Sequence, residues 1–267
     1  LVSIEMDQSG NLFIGGFHFV QTYDKDSLWY FTDTLDVAGF NMPIINACKS
    51  DKIGNVYAAV SSPYVSKYNN LSFDTIQLPF QGNAQVGAIA IDTSNQLWVA
   101  SKYYGVAKYD GSNWQKFDST NSILPNQYAS GICVDNNNKV YALYFSSIGL
   151  GHLYAYTNGI WTLEQLGIPI GNDKVEMFVD ASNNIWITSE VGMVNGIIKY
   201  DGANITTIIA GASGLPSNDI NEFQIDDLGN WFYATDDGFY SFDGVTHRKF
   251  DLPNSGIPSG EIKKVVV

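Results

Sequence analysis

The sequence predicts an all-β fold: a β-propeller of four-stranded antiparallel blades, with six complete repeats and the first strand of a seventh. Three observations predict it. Aspartates recur at Asp7, Asp51, Asp92, Asp135, Asp180 and Asp226, at steps of 44, 41, 43, 45 and 46 residues. Six residues after each stands an aromatic: Phe13, Tyr57, Trp98, Tyr141, Trp186 and Phe232. No stretch sustains the i, i+3, i+4 apolar spacing of a helix. Short strands recurring in fours at such a step are the mark of propeller blades.

Two further columns sharpen the period. A second aromatic recurs at Tyr23, Tyr68, Tyr109, Tyr156, Tyr200 and Phe242. An apolar–Pro pair closes each repeat: Met42-Pro43, Leu78-Pro79, Leu124-Pro125, Ile168-Pro169, Leu215-Pro216 and Ile257-Pro258. The repeats run over about 1–44, 45–85, 86–128, 129–173, 174–219 and 220–261, as one domain, with 262–267 as an extra strand.

Repeat three shows the elements most clearly. Its first strand covers about Val86–Ile91, and the turn Asp92-Thr-Ser-Asn95 follows, because Asp and Asn side chains bond turn backbone and Asn tolerates left-handed geometry. The second strand, about Leu97–Ala100, is a continuous apolar run, as expected of a sheet packed on both faces. The third, about Val106–Tyr109, ends at the hairpin signal Asp110-Gly111, and the fourth covers about Trp114–Phe117. Aromatics fill the gap that widens between splayed blades.

Composition bounds the function. The 267 residues carry 27 acidic and 14 basic side chains, a net charge of −13. That balance disfavours nucleic acid. Arg248 is the single arginine, so a guanidinium cluster for phosphate or carboxylate cannot form. No apolar run approaches the roughly 20 residues of a membrane helix, so no membrane insertion is expected. Two cysteines exclude a disulfide-dense scaffold. No signal peptide is read in these residues, and a start at Leu1 rather than Met leads us to expect a processed or trimmed N-terminus.

The repeat resembles a known family. Gly214-Leu-Pro-Ser-Asn-Asp-Ile-Asn-Glu-Phe-Gln-Ile-Asp-Asp-Leu-Gly-Asn230, then Ala234-Thr235 and Gly238-Phe-Tyr-Ser-Phe-Asp-Gly244, is similar to the two-component regulator propeller repeat. Asn95–Ser101 with Gly105–Gly111, and Leu124–Asp135, match it too. The resemblance is strongest in repeats three and six. In repeats one, two and four, Phe19, Tyr64 and His152 stand where Gly105, Gly196 and Gly238 stand elsewhere. The resemblance implies a bacterial, extracytoplasmic ligand-sensing or interaction propeller, periplasmic, surface-bound or secreted, often the sensor half of a signalling protein.

Ile262–Val267 repeats the first-strand pattern, and a seventh anchor would fall at position 268. Two readings stay open: a seven-bladed parent cut here, which is preferred because all-β folds protect their edges by closure, or a six-bladed ring with one redundant strand.

The candidate chemistry is sparse. The Asp-x-x-Gly-Asn turns lack the ligand pattern of a calcium loop and read as turns. His18, His152 and His247 occupy different columns and form no zinc spacing. His247 stands in the column of Trp114 and Trp161 and reads as a packing substitute. Cys48 and Cys133 read as buried free thiols. No nucleophile motif exists, no catalytic set is assigned and no cofactor is expected. Glu176 and Glu222 share the column four before the anchor, which otherwise holds Ser3, Ala47, Ala88, Gly131 and Lys264. They are weak metal candidates: two carboxylates there would hold a cation or a catalytic water, or else stand solvated in a water-filled channel.

A ligand-binding face is expected on the loops after second and fourth strands. Its residues are Tyr103, Tyr104, Tyr144, Phe145, Asn126, Asn218, Asp219 and Asp237, with Phe17 and Asp236 nearby. Ring faces with adjacent amides and carboxylates suit sugars or peptide strands. The competing expectation is that half of these aromatics only cap blade packing. The favoured function is a non-enzymatic module binding a glycan, peptide or protein. The alternatives are a propeller lactonase or lyase with a divalent cation in the channel, and an adhesive segment of a larger surface protein. Oligomeric state is not legible.

Overall fold

The computed structural model describes residues 3–6, 10–15, 20–23, 29–32, 45–60, 63–68, 73–82, 84–126, 128–146, 149–169, 173–191, 196–209, 215, 220–250, 255–257 and 260–267. Asp7, Phe17, His18, Met42, Pro43, Asn218 and Asp219 lie outside them.

Among the described residues, twenty-four strands form six four-stranded sheets in chain order, and every pairing given below is antiparallel. The first holds β1 (Ser3–Met6), β2 (Leu12–Gly15), β3 (Val20–Tyr23) and β4 (Trp29–Thr32). Then come β5 (Ile45–Ser50), β6 (Val56–Val60), β7 (Tyr64–Tyr68) and β8 (Phe73–Gln77). The third holds β9 (Val86–Ile91), β10 (Leu97–Ser101), β11 (Gly105–Tyr109) and β12 (Trp114–Phe117), within one residue of the strands read from sequence. The fourth is β13 (Ala129–Val134), β14 (Val140–Phe145), β15 (Gly151–Thr157) and β16 (Ile160–Ile168). The fifth is β17 (Asp173–Val179), β18 (Ile185–Val191), β19 (Ile197–Tyr200) and β20 (Ile205–Ile208). The sixth is β21 (Ile220–Ile225), β22 (Trp231–Thr235), β23 (Gly238–Phe242) and β24 (His247–Phe250). The second strands β10 and β14 are buried throughout, on both faces, as their apolar runs require.

Ile262–Val267 is a correction: it forms no strand. Its backbone bonds elsewhere. Ile262 N–H donates to the Thr235 carbonyl at 2.9 Å, and Val265 N–H donates to Glu222 Oε2 at 3.1 Å.

The chain divides into two compact units. One comprises Leu1–Val134, Asn138–Tyr144 and Tyr154–Thr162; the other comprises Asp135–Asn137, Phe145–Leu153 and Leu163–Val267. In the first, β1 stands against β5, β5 against β9, and β9 against β13. One of its clusters sets Trp98 and Phe117 against Val140, Tyr144 and Trp161. In the second, β18 stands against β21, and Trp186, Phe223 and Tyr233 form the core. Four of the apolar residues that precede a repeat-closing proline, Leu78, Leu124, Ile168 and Leu215, are buried plugs, whereas Ile257 is only half-buried.

The aspartate column now has a physical cause. Asp92 Oδ1 accepts the N–H groups of Ser94 and Gln96, and its Oδ2 accepts the indole N–H of Trp98 at 3.0 Å. Asp180 does the same with Ser182, Asn184 and, at 2.8 Å, Trp186. One carboxylate thus closes the turn and holds the aromatic of the next strand, which fixes their spacing at six residues. Replacing Asp92 with Ala leaves three donors without acceptors. We expect a loss of about 2 kcal/mol in urea unfolding, and a smaller loss for Asp92→Asn.

The same turns latch neighbouring repeats. Asn95, Asn138 and Asn183 sit at φ of 60°, 66° and 65°, where Gly54 and Gly229 stand in other repeats. Each Asn accepts a backbone N–H from the preceding turn: Lys52 to Asn95, Thr93 to Asn138 and Asn136 to Asn183. Glycine meets the backbone requirement without supplying the latch. At Gly196, φ is +152° and a Cβ would lie 2.3 Å from the Ile208 carbonyl oxygen, so that position admits no side chain.

Candidate functional site

The carboxylate pair is the first site to build. Glu176 on β17 and Glu222 on β21 come together as their shared column requires, and Lys264 joins them from the same column. Its ammonium pairs with Glu176 and lies 3.6 Å from Glu222 Oε2. Burial alone would push the Lys264 pKa down, but the two carboxylates raise it above the usual lysine value. Only 12% of the Lys264 side chain and 8% of that of Glu222 are exposed. The metal candidacy of this pair is therefore corrected: a protein ammonium already holds the place a cation would take. Lys264 was visible in the column, but its reach across two strands to Glu176 was not.

The aspartate turns are likewise occupied by backbone and indole donors. Among the described residues, no group of three or more His, Cys, Asp or Glu could hold a metal ion. Cys48 and Cys133 are buried thiols outside any disulfide. Burial, the largest cause, pushes the Cys48 thiol up to about 12, so it stays protonated at neutral pH. His247 stacks on Phe242 at 4.2 Å and bonds the Tyr233 hydroxyl through Nδ1, a packing role.

The expected loop face separates into parts. Tyr103 is exposed in the β10–β11 turn. Tyr104 stacks on Phe80 at 5.5 Å and belongs to the core rim. Tyr144 and Phe145 are corrections: they are the last residues of β14 rather than loop residues, at 0% and 4% exposure. The Tyr144 ring packs edge-on to Tyr154, and burial raises its hydroxyl pKa. Asn126 is exposed but spends its Oδ1 on the backbone N–H and hydroxyl of Ser119. Asp237 is exposed and bonds Lys249 at 2.8 Å and the Tyr240 hydroxyl at 3.1 Å. Those bonds, that from Lys249 first, hold its carboxyl below the usual range.

One cleft was missed by sequence reasoning. It has a volume of about 290 Å³ and lies between β12 and the β15–β16 turn, lined by Gln115, Asn121, Ser122, Ile123, Ile160 and Trp161. Ile123 and Ile160 are 55% and 66% exposed. Trp161 is 4% exposed, yet its indole N–H is buried without an acceptor. A large aliphatic at each of two loop ends was the available signal. Their closeness follows only from sheet packing.

Neither a family model nor a curated protein matches this sequence. Solved structures do. The extracellular domain of a putative hybrid two component system from B. thetaiotaomicron superposes with a TM-score of 0.74 at 18% identity, covering 98% of this chain and 35% of that one. The protein is a β-propeller. Its sheets are therefore antiparallel four-stranded blades, as the repeat pattern predicts. This propeller spans only about a third of that neighbour's length, 35% of it. It is also similar to virginiamycin B lyase from Staphylococcus aureus, with a TM-score of 0.72 at 11% identity, covering 93% of this chain and 83% of the other. A third neighbour, YCF48 bound to D1 peptide, gives 0.64 at 12% identity over 96% and 82% of the two chains. No helix among the described residues is long and apolar enough to cross a membrane.

Proposed function

We propose that this propeller is a non-enzymatic, extracytoplasmic binding module, sensor-like or surface-borne, that takes a glycan or peptide. The observation that carries the reading is the cleft at Trp161. Its lining pairs the apolar side chains of Ile123, Ile160 and Trp161 with the amides of Gln115 and Asn121 and the hydroxyl of Ser122. Such a lining binds and orients; it offers no base or nucleophile.

The extracellular setting of the two component system neighbour supports the location, and the peptide-bound neighbour supports a peptide ligand. The place a divalent cation would take between the two carboxylates is held by the Lys264 ammonium, which does not favour a lyase-type reaction there.

The test is a binding screen by thermal shift and tryptophan fluorescence with defined oligosaccharides and extended peptides. Ile160→Ser removes an exposed apolar side chain of the cleft; Gln115→Leu removes an amide. Each is expected to weaken binding about tenfold without lowering stability by more than ~1 kcal/mol. Absence of any binder in both classes, or unchanged affinity in both variants, would refute the reading.

A further inference from the structure

The cleft at Trp161 runs along the edge of a sheet. β12 ends the third sheet, with β11 as its one neighbour there. The register pairs Tyr109 with Trp114, Lys108 with Gln115, Ala107 with Lys116 and Val106 with Phe117. At the hairpin, Asp110 N–H donates to the Asn113 carbonyl at 3.1 Å. Bonded and non-bonded pairs alternate along an antiparallel ladder, so Gln115 and Phe117 bond β11, while Trp114 and Lys116 turn their N–H and C=O groups outward. One of those outward groups shows what it accepts. Asn121 Nδ2 donates to the Lys116 carbonyl at 2.9 Å. This side-chain amide makes the bond that the backbone amide of a further strand would make.

The side chains agree with the backbone. Gln115 and Phe117, two positions apart, point to one face of the sheet, and both line the cleft. The side chains of an added strand beside them would point the same way, between Ile123 and Ile160. The far wall is a tight turn, with Asn158 and Gly159 at φ of 51° and 87°, the signs a type I′ hairpin requires. At about 290 Å³ the cleft lies at the bottom of the roughly 300–1,000 Å³ range of sites that enclose a whole ligand. It fits side chains of an extended chain that continues past it. We infer that β12 takes such a chain as a fifth strand: a peptide with large aliphatic residues at alternate positions, aimed into the cleft, and lysines among the others. The lysines complement the protein's net charge of −13. Main-chain hydrogen bonds supply the affinity and the alternate side chains the selectivity. Asn121 holds the Lys116 carbonyl until the N–H of the strand replaces it. This inference rests on the binding role proposed above and narrows the ligand to a peptide.

The probe is a fluorescein-labelled peptide that alternates leucine with threonine and ends in two lysines. Fluorescence anisotropy reads its affinity for the intact chain. A matched set carries a single N-methyl group, moved one residue at a time. Methylation at every second residue is expected to weaken binding at least about tenfold, and methylation at the residues between to change it less than about twofold. Asn121→Ala frees the Lys116 carbonyl and is expected to tighten binding about threefold. Equal losses at all methylated positions overturn the strand, and that arm needs no protein variant. Unchanged or weaker binding to Asn121→Ala overturns it too. So does a cleft that takes chitotetraose, with the affinity lost in Ile160→Ser, but not the peptide; the binding role then stands with a glycan as ligand. If neither these probes nor any member of the wider screen binds, the strand and the binding role fall together.

Discussion

Replacing Trp98 with Ala is expected to destabilise the protein by about 3–5 kcal/mol, the largest effect of any single change considered. Trp98 is 1% exposed. Its ring stacks on Phe117 at 5.8 Å and meets Tyr156 and Trp161 edge-on at 5.1 and 6.1 Å. The Lys108 ammonium lies 5.5 Å from its centroid. Alanine would leave a cavity lined by rings that cannot collapse into it. Trp98→Phe separates the two roles of the side chain: the aromatic contact stays while the N–H bond to Asp92 is lost, for about 1–2 kcal/mol. Urea unfolding of both variants measures the difference. Equal losses would mean that the hydrogen bond, rather than the packing, dominates this column.

Replacing Lys264 with Met should cost about 2–4 kcal/mol, because it leaves the buried Glu222 carboxylate uncompensated beside Glu176. In a domain of this size the melting temperature should fall by about 5–15 °C. The pH dependence carries a definite sign. The folded pKa of Lys264 is raised, so its stabilising contribution is complete below the unfolded value of about 10.4. It disappears as pH rises through the folded value. Wild type should therefore lose stability relative to Lys264→Met in that alkaline window, and the gap between them should narrow there. A gap that stays constant to the highest pH at which both fold would show that Lys264 acts through its alkyl chain rather than its charge. The double variant Lys264→Met, Glu222→Leu should recover part of the loss, since no buried charge is then left alone.

Much of the fold was legible because repetition amplifies weak signals. One Asp six residues before one aromatic means little. Recurring at Asp51–Tyr57, Asp92–Trp98 and Asp180–Trp186, it reports a single hydrogen bond made again and again. The candidate site was less legible. Tyr144 looked like a loop aromatic because β14 runs through Phe145, and a strand buried on both faces has no polar alternation to mark its end. Asn126 looked available for a ligand, but its partner Ser119 is seven residues away across a turn whose closure no local pattern announces.

By itself, then, the sequence determined the period, the strand order within each repeat and the identity of the turn residues. These rest on interactions between residues a few positions apart, which spacing records. Only the tertiary structure decided that Lys264 neutralises Glu176, 88 residues away, that Ile123 and Ile160 share a cleft, and that Ile262–Val267 forms no strand. The physical reason is the same in each case. Those outcomes depend on which side chains meet across neighbouring sheets, and sheet-to-sheet contact leaves no fixed spacing in the chain.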